Sequence, residues 1–429
     1  MSTPDPSQKR TRSLRSSGWR QATGSLDNRE FRRVFASNMA FFLAMGGQSI
    51  VRPWLAFDLT GRAVDLGIVS VAMAIPMAVL SPFGGVLADR MERRRLILMA
   101  QAFAMASEML VLVLILSDRL EFWHLVVTSS MMGCAFPLIM PARSAIVVNI
   151  VGKKGLGSAM ALNMAGVNVT RVVGPAAAGF LIPVIKVEGV YATNLTLYGV
   201  GLLMMATVQR LPPPPEATER SVARNLAEGF QYVGSNRLVM MLLLFGLVPM
   251  FLAMPFQNLL VLFAEDVWQV GSQGFGILHA ASGIGAVVGS FWMAARSPDA
   301  GRLRMMMWSV VAFGGLLAAF CASPWFAPAV ALVFCANIFA STFSTLNNVA
   351  IQMVIPDSVR GRISSFLMMS VSLPLLGNLP VSAVADEVGA PWAVGAASLL
   401  AVVMAMIFYS SSRELRALDE HVRRAMSQH

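Results

Sequence analysis

The chain has 429 residues, 56% of them apolar and only 13% charged, with a formal net charge of +10. That balance excludes an ordinary soluble globular protein, in which about a quarter of residues are charged. Cys134, Cys321 and Cys335 sit in apolar runs at irregular spacing, which suggests neither a metal site nor a disulfide.

A bilayer core roughly 30 Å thick needs ~20 apolar residues per helix at 1.5 Å rise. The chain offers about twelve such runs, which predicts an all-α integral membrane protein. Residues 1–30 are charged, with scattered Pro, Ser and Gly, and read as a disordered tail without the apolar core of a cleaved signal peptide. The first helix is expected from Val34 to Phe57 and carries Gln48 and Arg52 four apart, on one face. The turn Asp58–Arg62 leads to a second helix over 66–88. A third spans 96–117 with Glu108 near its middle, and a fourth runs from Phe122 to Arg143. The fifth, 158–185, carries Arg171, Gly174 and Pro175, and the sixth closes the first half near Val208.

A polar break follows. Arg210-Leu-Pro-Pro-Pro-Pro-Glu216 opens a linker over 210–236, rigid at first and then amphipathic, with Leu226, Phe230 and Val233 at helical spacing. Six more helices are expected at 238–262, 274–295, 305–322, 327–354, 363–384 and 391–410, before a tail over 411–429. The halves, 31–209 and 237–410, match in length and helix count, and a shift of 205 residues superposes Pro175 and Pro380.

Charge distribution sets the expected topology. Of the 33 Lys and Arg residues, 28 fall on the side carrying the turn at 89–95. Three fall on the opposite side, and Arg52 and Arg171 lie inside apolar runs. The positive-inside rule then places both termini in the cytoplasm. The basic charge is accounted for by topology and anionic lipid, so no nucleic-acid partner is expected.

The turn itself reads Gly85-Val-Leu-Ala-Asp89-Arg90-Met-Glu92-Arg93-Arg94. Its pattern resembles the loop between helices 2 and 3 of major facilitator superfamily transporters, with Glu92 where that family usually has glycine. The resemblance implies a fold of two pseudo-symmetric six-helix bundles, with the substrate site between them near mid-membrane. It also implies that Gly85, Asp89, Arg90, Arg93 and Arg94 form a gating latch. Carboxylate–guanidinium pairs at helix ends supply charge-assisted bonds for such a latch; a plain topology anchor is the simpler role. Phe136-Pro-Leu-Ile-Met-Pro141-Ala-Arg143 and Arg171-Val-Val-Gly174-Pro175-Ala-Ala-Ala-Gly179 resemble the efflux branch that includes enterobactin exporters and macrolide efflux proteins. The turns Leu59-Thr60-Gly61 and Pro356-Asp-Ser-Val-Arg360-Gly-Arg362 resemble the same branch. In the helix-5 stretch, Arg171, Gly174, Pro175 and Gly179 resemble an antiporter motif, with Ala178-Gly179 where that family has a double glycine; small residues there allow close approach and proline frees a carbonyl.

An ionisable group at the bilayer centre costs ~2.5–3.5 kcal/mol on insertion scales, so it faces protein or water. Glu108 lies about 18 Å into its helix. It is a proton-coupling candidate or a structural partner, for instance of Arg171. Arg52 with Gln48 can receive an oxygen-rich or anionic substrate, or Arg52 can snorkel to headgroups. Arg143 is placed at the cytoplasmic mouth, facing substrate or lipid phosphate. In the second half, Gln257, Asn258, Asn347, Asn348 and Gln352 are candidates to orient a substrate through uncharged amides, or to bond neighbouring helices. His279 reads as a hydrogen-bonded packing histidine, with a proton relay as the alternative.

No Walker-type motif occurs, and His124, His279, His421 and His429 lie far apart without a nucleophile elbow, so no enzyme is expected. The leading expectation is a secondary transporter without a cofactor, monomeric, in the bacterial cytoplasmic membrane. It would export amphipathic small molecules such as drugs or siderophores against a proton gradient, among membrane lipids. Solute uptake, lysophospholipid flipping and a non-transporting sensor or scaffold are the alternatives.

Overall fold

The computed structural model describes residues 24–210, 222–295, 301–355 and 372–412. The tails at 1–23 and 413–429, linker residues 211–221, the turn at 356–362 and the Asp89 side chain lie outside the described residues. Among those described, every regular element is helical.

The chain enters α1 (Arg29–Thr60) through a 3-10 turn at Gly24–Asp27. Asn28 fixes the start, its side chain accepting from the amides of Glu30 and Phe31 and so satisfying two otherwise orphaned donors. Residues 24–30, expected in a disordered tail, are therefore part of the fold. α2 (Ala63–Arg90) and α3 (Arg93–Leu116) follow. The next helical run, Phe122–Ala206, is 85 residues long and is broken by positive φ at Gly152 (66°) and Lys186 (58°). It is three helices: α4 (122–151), α5 (153–185) and α6 (187–206). The loop expected after Arg143 narrows to the Gly152 break, so Arg143 lies within α4, about two turns before its end.

In the linker, α7 (Val222–Ser235) packs Val233 against Leu238 and Leu242, while Phe230 stays half exposed. α8 (Arg237–Ala253) and α9 (Phe256–Leu262) form one apolar span ending in a π turn at Phe263–Val267. Then come α10 (Gly271–Ala295), α11 (Arg302–Cys321) and α12 (Phe326–Val354). The helix expected over 363–384 is described from Ser372 on, as α13 (Leu373–Leu376) and α14 (Asn378–Val388). α15 (Ala390–Ser411) closes the fold.

Ten stretches among the described residues are long and apolar enough to cross a membrane. One of them, Gly155–Ala206, has 52 residues. That is over twice the ~20 a crossing needs, so the Lys186 break divides it into two. Outward-facing apolar side chains such as Val184, Leu203 and Trp392 are largely exposed, as lipid contact requires.

Among the described residues, the apolar packing that joins the halves lies at one end, while at the turn end α2 meets the linker helix α7. At the end opposite the 89–95 turn, a single apolar cluster runs through both. It includes Leu55, Leu66 and Tyr191 of the first half with Phe256, Phe275 and Val381 of the second. At the turn end each half keeps its own cluster, one around Phe31, Leu96 and Val208, the other around Leu238, Met306 and Ile355.

Candidate transport cavity and its polar surroundings

The joined end is a seam built mainly by α2. Its first amides, Ala63 N and Val64 N, donate to the Asp386 carboxylate at the end of α14, at 2.5 and 3.1 Å. A carboxylate on the orphaned donors of a helix N-terminus also meets the positive end of its dipole. One turn on, Gly67 abuts α14 so closely that an added Cβ would lie 2.7 Å from Leu379 Cα. A further turn on, Asn258 Nδ2 donates to Ser70 Oγ at 2.8 Å.

The helix-5 stretch supplies the second line of the seam, and its two glycines do different work. Gly174 lies against α1, where an added Cβ would meet Gly46 Cα at 2.8 Å and Leu43 O at 2.9 Å. Gly179 faces the other half, with Gly276 Cα and Ser272 O each 2.7 Å from such a Cβ. Ser272 Oγ donates to Gly179 O at 3.3 Å, and Trp54 stacks on Phe275 nearby. Pro175 lies between, its carbonyl facing Gly276, and Arg171 stands exposed with its carbonyl near Gly283.

Beneath the seam, toward the turn end, lies a cavity of about 350 Å³, within the ~300–1,000 Å³ typical of small-molecule sites. Its described lining comes from the second half alone, not from both halves as expected: apolar residues such as Met250 and Phe343, with Gln257, Asn258, Asn347, Asn348, Ser344 and Asn378 as polar points. Among the described residues, no ionisable side chain lines it. Asn347 is packed onto Gly246, which has no side chain to displace the amide, and its Oδ1 is buried without a partner. His279 holds the cavity's edge, Nε2 lying 3.1 Å from Gln257 O and the ring edge-on to Phe275. Gln352, one turn beyond Asn348, is exposed outside these walls.

Gln48, Arg52 and Arg143 do not line the cavity either. Charged side chains need polar partners inside a bundle, and these find them within the first half. Arg52 Nη2 meets Glu108 Oε1 at 2.6 Å, with both side chains buried. Arg52 Nη1 donates to Ser129 Oγ at 2.9 Å, and Gln48 Nε2 donates to the same Glu108 oxygen. Tyr198 Oη donates to Gln48 Oε1 at 3.2 Å, and Gln101 Nε2 to the Tyr198 carbonyl at 2.9 Å. Arg143 continues the strip: it donates to Gln101 and Asn38, and its guanidinium lies 4.4 Å from the Phe41 ring centroid. Arg52 thus pairs inside the bundle instead of snorkelling, and the partner of Glu108 is Arg52 rather than Arg171.

Two of the turn arginines donate to carbonyls of their own half. Arg93 Nη1 donates to Ala145 O at 3.2 Å. Arg94 caps the end of α6, reaching Met205 O at 3.4 Å and Ala206 O at 2.5 Å. Arg90 is exposed, and an added Cβ on Gly85 would meet nothing within 4 Å.

Sequence reasoning did not single out Asn38, Gln101, Ser129, Tyr198, Asn378 or Asp386. Two of them carried a signal. Gln101 lies two helical turns before Glu108 on one face, and Asp386 ends its apolar run after an alanine, as Asp89 does.

The arrangement is thus an amide-bearing cavity beneath a seam that closes the end opposite the 89–95 turn. Residues 21–429 match the family described as transmembrane secretion effector. The chain is similar to the staphyloferrin A transporter of Staphylococcus aureus, 23% identical over 388 residues, covering 89% of this chain and 96% of that one. It is also similar to the enterobactin exporter EntS of Escherichia coli, 24% identical over 399 residues, covering 91% and 94%. A crystal structure of the nucleoside transporter NupG superposes with a TM-score of 0.73 at 13% identity, covering 89% of this chain and 99% of that one. The chain belongs to the transmembrane secretion effector family of major facilitator superfamily transporters.

Proposed function

We propose that this transporter exports an amphipathic, siderophore-like small molecule by alternating access, driven by the proton gradient. The observation that carries the reading is the closure at the end opposite the 89–95 turn. An amide-bearing cavity lies beneath a closed seam and toward the end where 28 of the 33 basic residues fall. With the positive-inside rule that end is cytoplasmic, so the cavity faces the compartment from which an export substrate loads. Two relatives of similar length are named for siderophores, and one of these is named an exporter.

Within this reading the chain acts as a monomer in the bacterial cytoplasmic membrane with both termini inside. Gln257, Asn258, Asn347 and Asn348 orient the substrate. Glu108 is assigned the proton, as the only acidic side chain with no exposed surface among the described residues. Gly85, Asp89, Arg90, Arg93 and Arg94 form the latch of the opposite conformation, when the turn end closes.

The test is secretion. In bacteria deprived of their own siderophore exporter, expression of this chain should restore siderophore to the medium, and Asn347→Leu should lower that recovery. Unchanged intracellular retention would remove siderophores from the reading, and a panel of dyes and macrolides in the same cells would then test other amphipathic substrates.

A further inference from the structure

The cavity and the seam share two residues. Asn258 and Asn378 line the cavity, and both also meet α2 of the other half. Asn258 Nδ2 donates to Ser70 Oγ at 2.8 Å. The Asn378 carbonyl lies 3.1 Å from where a Cβ on Gly67 would sit. Ala63, Gly67 and Ser70 follow i, i+4, i+7 spacing, so one face of α2 carries the Asp386 cap, the close approach and the amide bond in succession. Ser70 gives its own hydroxyl proton to Leu66 O at 2.9 Å. Toward Asn258 it therefore acts as an acceptor, and the amide supplies the polar link between the two halves along this face of α2.

We infer that Asn258 is the residue through which an occupant of the cavity loosens the closed end. A hydrogen-bond acceptor on the occupant draws the Asn258 amide into the cavity and away from Ser70, and the face of α2 that ends at Asp386 is released. An apolar occupant of the same size offers no acceptor and leaves the bond in place. The group that triggers opening is an uncharged oxygen, a carbonyl or hydroxyl, because the described residues lining the cavity offer amides and a hydroxyl and no cation to balance a carboxylate. This rests on the cavity being the transport site, and it adds which chemical feature of the cargo opens the far end.

The experiment is hydrogen–deuterium exchange of the α2 N-terminal peptide, residues 60–72, in the full-length detergent-solubilised chain. Exchange there reports opening, since the amides of Ala63 and Val64 are held by Asp386. Ser70→Ala and Asn258→Ala should each speed exchange about fivefold, the size of one net hydrogen bond, and the double variant no further. In a background with Cys134, Cys321 and Cys335 replaced, the thiol introduced by Ser344→Cys is then tethered inside the cavity. One methanethiosulfonate carries a terminal amide, and the other an alkyl chain of equal length. The amide tether should speed exchange in that background and lose its effect when Asn258→Ala is added. Unchanged exchange in both single variants overturns the inference, as does an equal effect of the two tethers, or an effect of neither. None of these readouts uses transport, so a wrong cargo assignment would leave this test decisive.

Discussion

Arg52 and Glu108 are joined at 2.6 Å inside the first half, and neither reaches the cavity. Gln48 and Ser129 complete the cluster, while Arg52 Nε and Glu108 Oε2 stay without partners. Breaking a buried pair leaves one charge uncompensated, at a cost of about 3–5 kcal/mol. Glu108→Gln should therefore lower the thermal unfolding midpoint markedly, and Arg52→Gln added to it should recover most of the loss. A single variant as stable as the parent would show that the pair does not hold the bundle. If Glu108 also carries the proton, transport by the stable double variant loses its sensitivity to a protonophore.

The two glycines of the helix-5 stretch should fail differently. Gly174→Val forces a side chain into α1 of its own half, so overpacking of about 1–3 kcal/mol should appear as lost stability. Gly179→Val forces one into α10 of the other half. That variant should keep its stability more nearly, because the halves can part, but lose transport. Unfolding in detergent and a transport assay on both variants separate the cases; equal loss of stability would contradict the division.

Asp386 ties the end of α14 to the start of α2. Asp386→Ala removes a helix cap worth about 1 kcal/mol, which should raise the open-to-closed ratio of this end about fivefold. Spin labels on Arg119→Cys and Trp325→Cys, both exposed near that end, report it in a background free of native cysteines. A larger long-distance population is the expected outcome, and an unchanged distribution would remove Asp386 from the gate.

At the turn end, Arg94→Ala should cost about 0.5–1 kcal/mol of stability through its lost contacts with the end of α6. Arg90→Ala should leave stability within about 0.5 kcal/mol, since that side chain is exposed. It should nevertheless slow transport if Arg90 engages when the turn end closes. Equal transport in parent and Arg90→Ala would reduce the turn to a topology anchor.

The helices were legible because the bilayer imposes a length and a composition that each apolar run displays on its own. The Gly-Pro stretch was legible as a place of close approach, since small residues state their packing locally. That Gly174 serves α1 and Gly179 serves α10 was not, because both face neighbours set by tertiary structure. Arg52 and Arg143 misled for a physical reason: a buried cation on a helix face reads as substrate-facing whichever neighbour that face meets. Their satisfaction by Glu108, Gln101 and Asn38 depends on helix packing alone. The five amides were legible as polar points on two helices, but the separation of Gln352 from Asn348 at the cavity wall was not, since both follow the same helical spacing.

Uptake of labelled enterobactin into everted membrane vesicles tests proton-driven export most directly. The account predicts accumulation that needs the proton gradient, is abolished by a protonophore and is reduced by Asn347→Leu. Gradient-independent equilibration, or accumulation only in right-side-out vesicles, would contradict it.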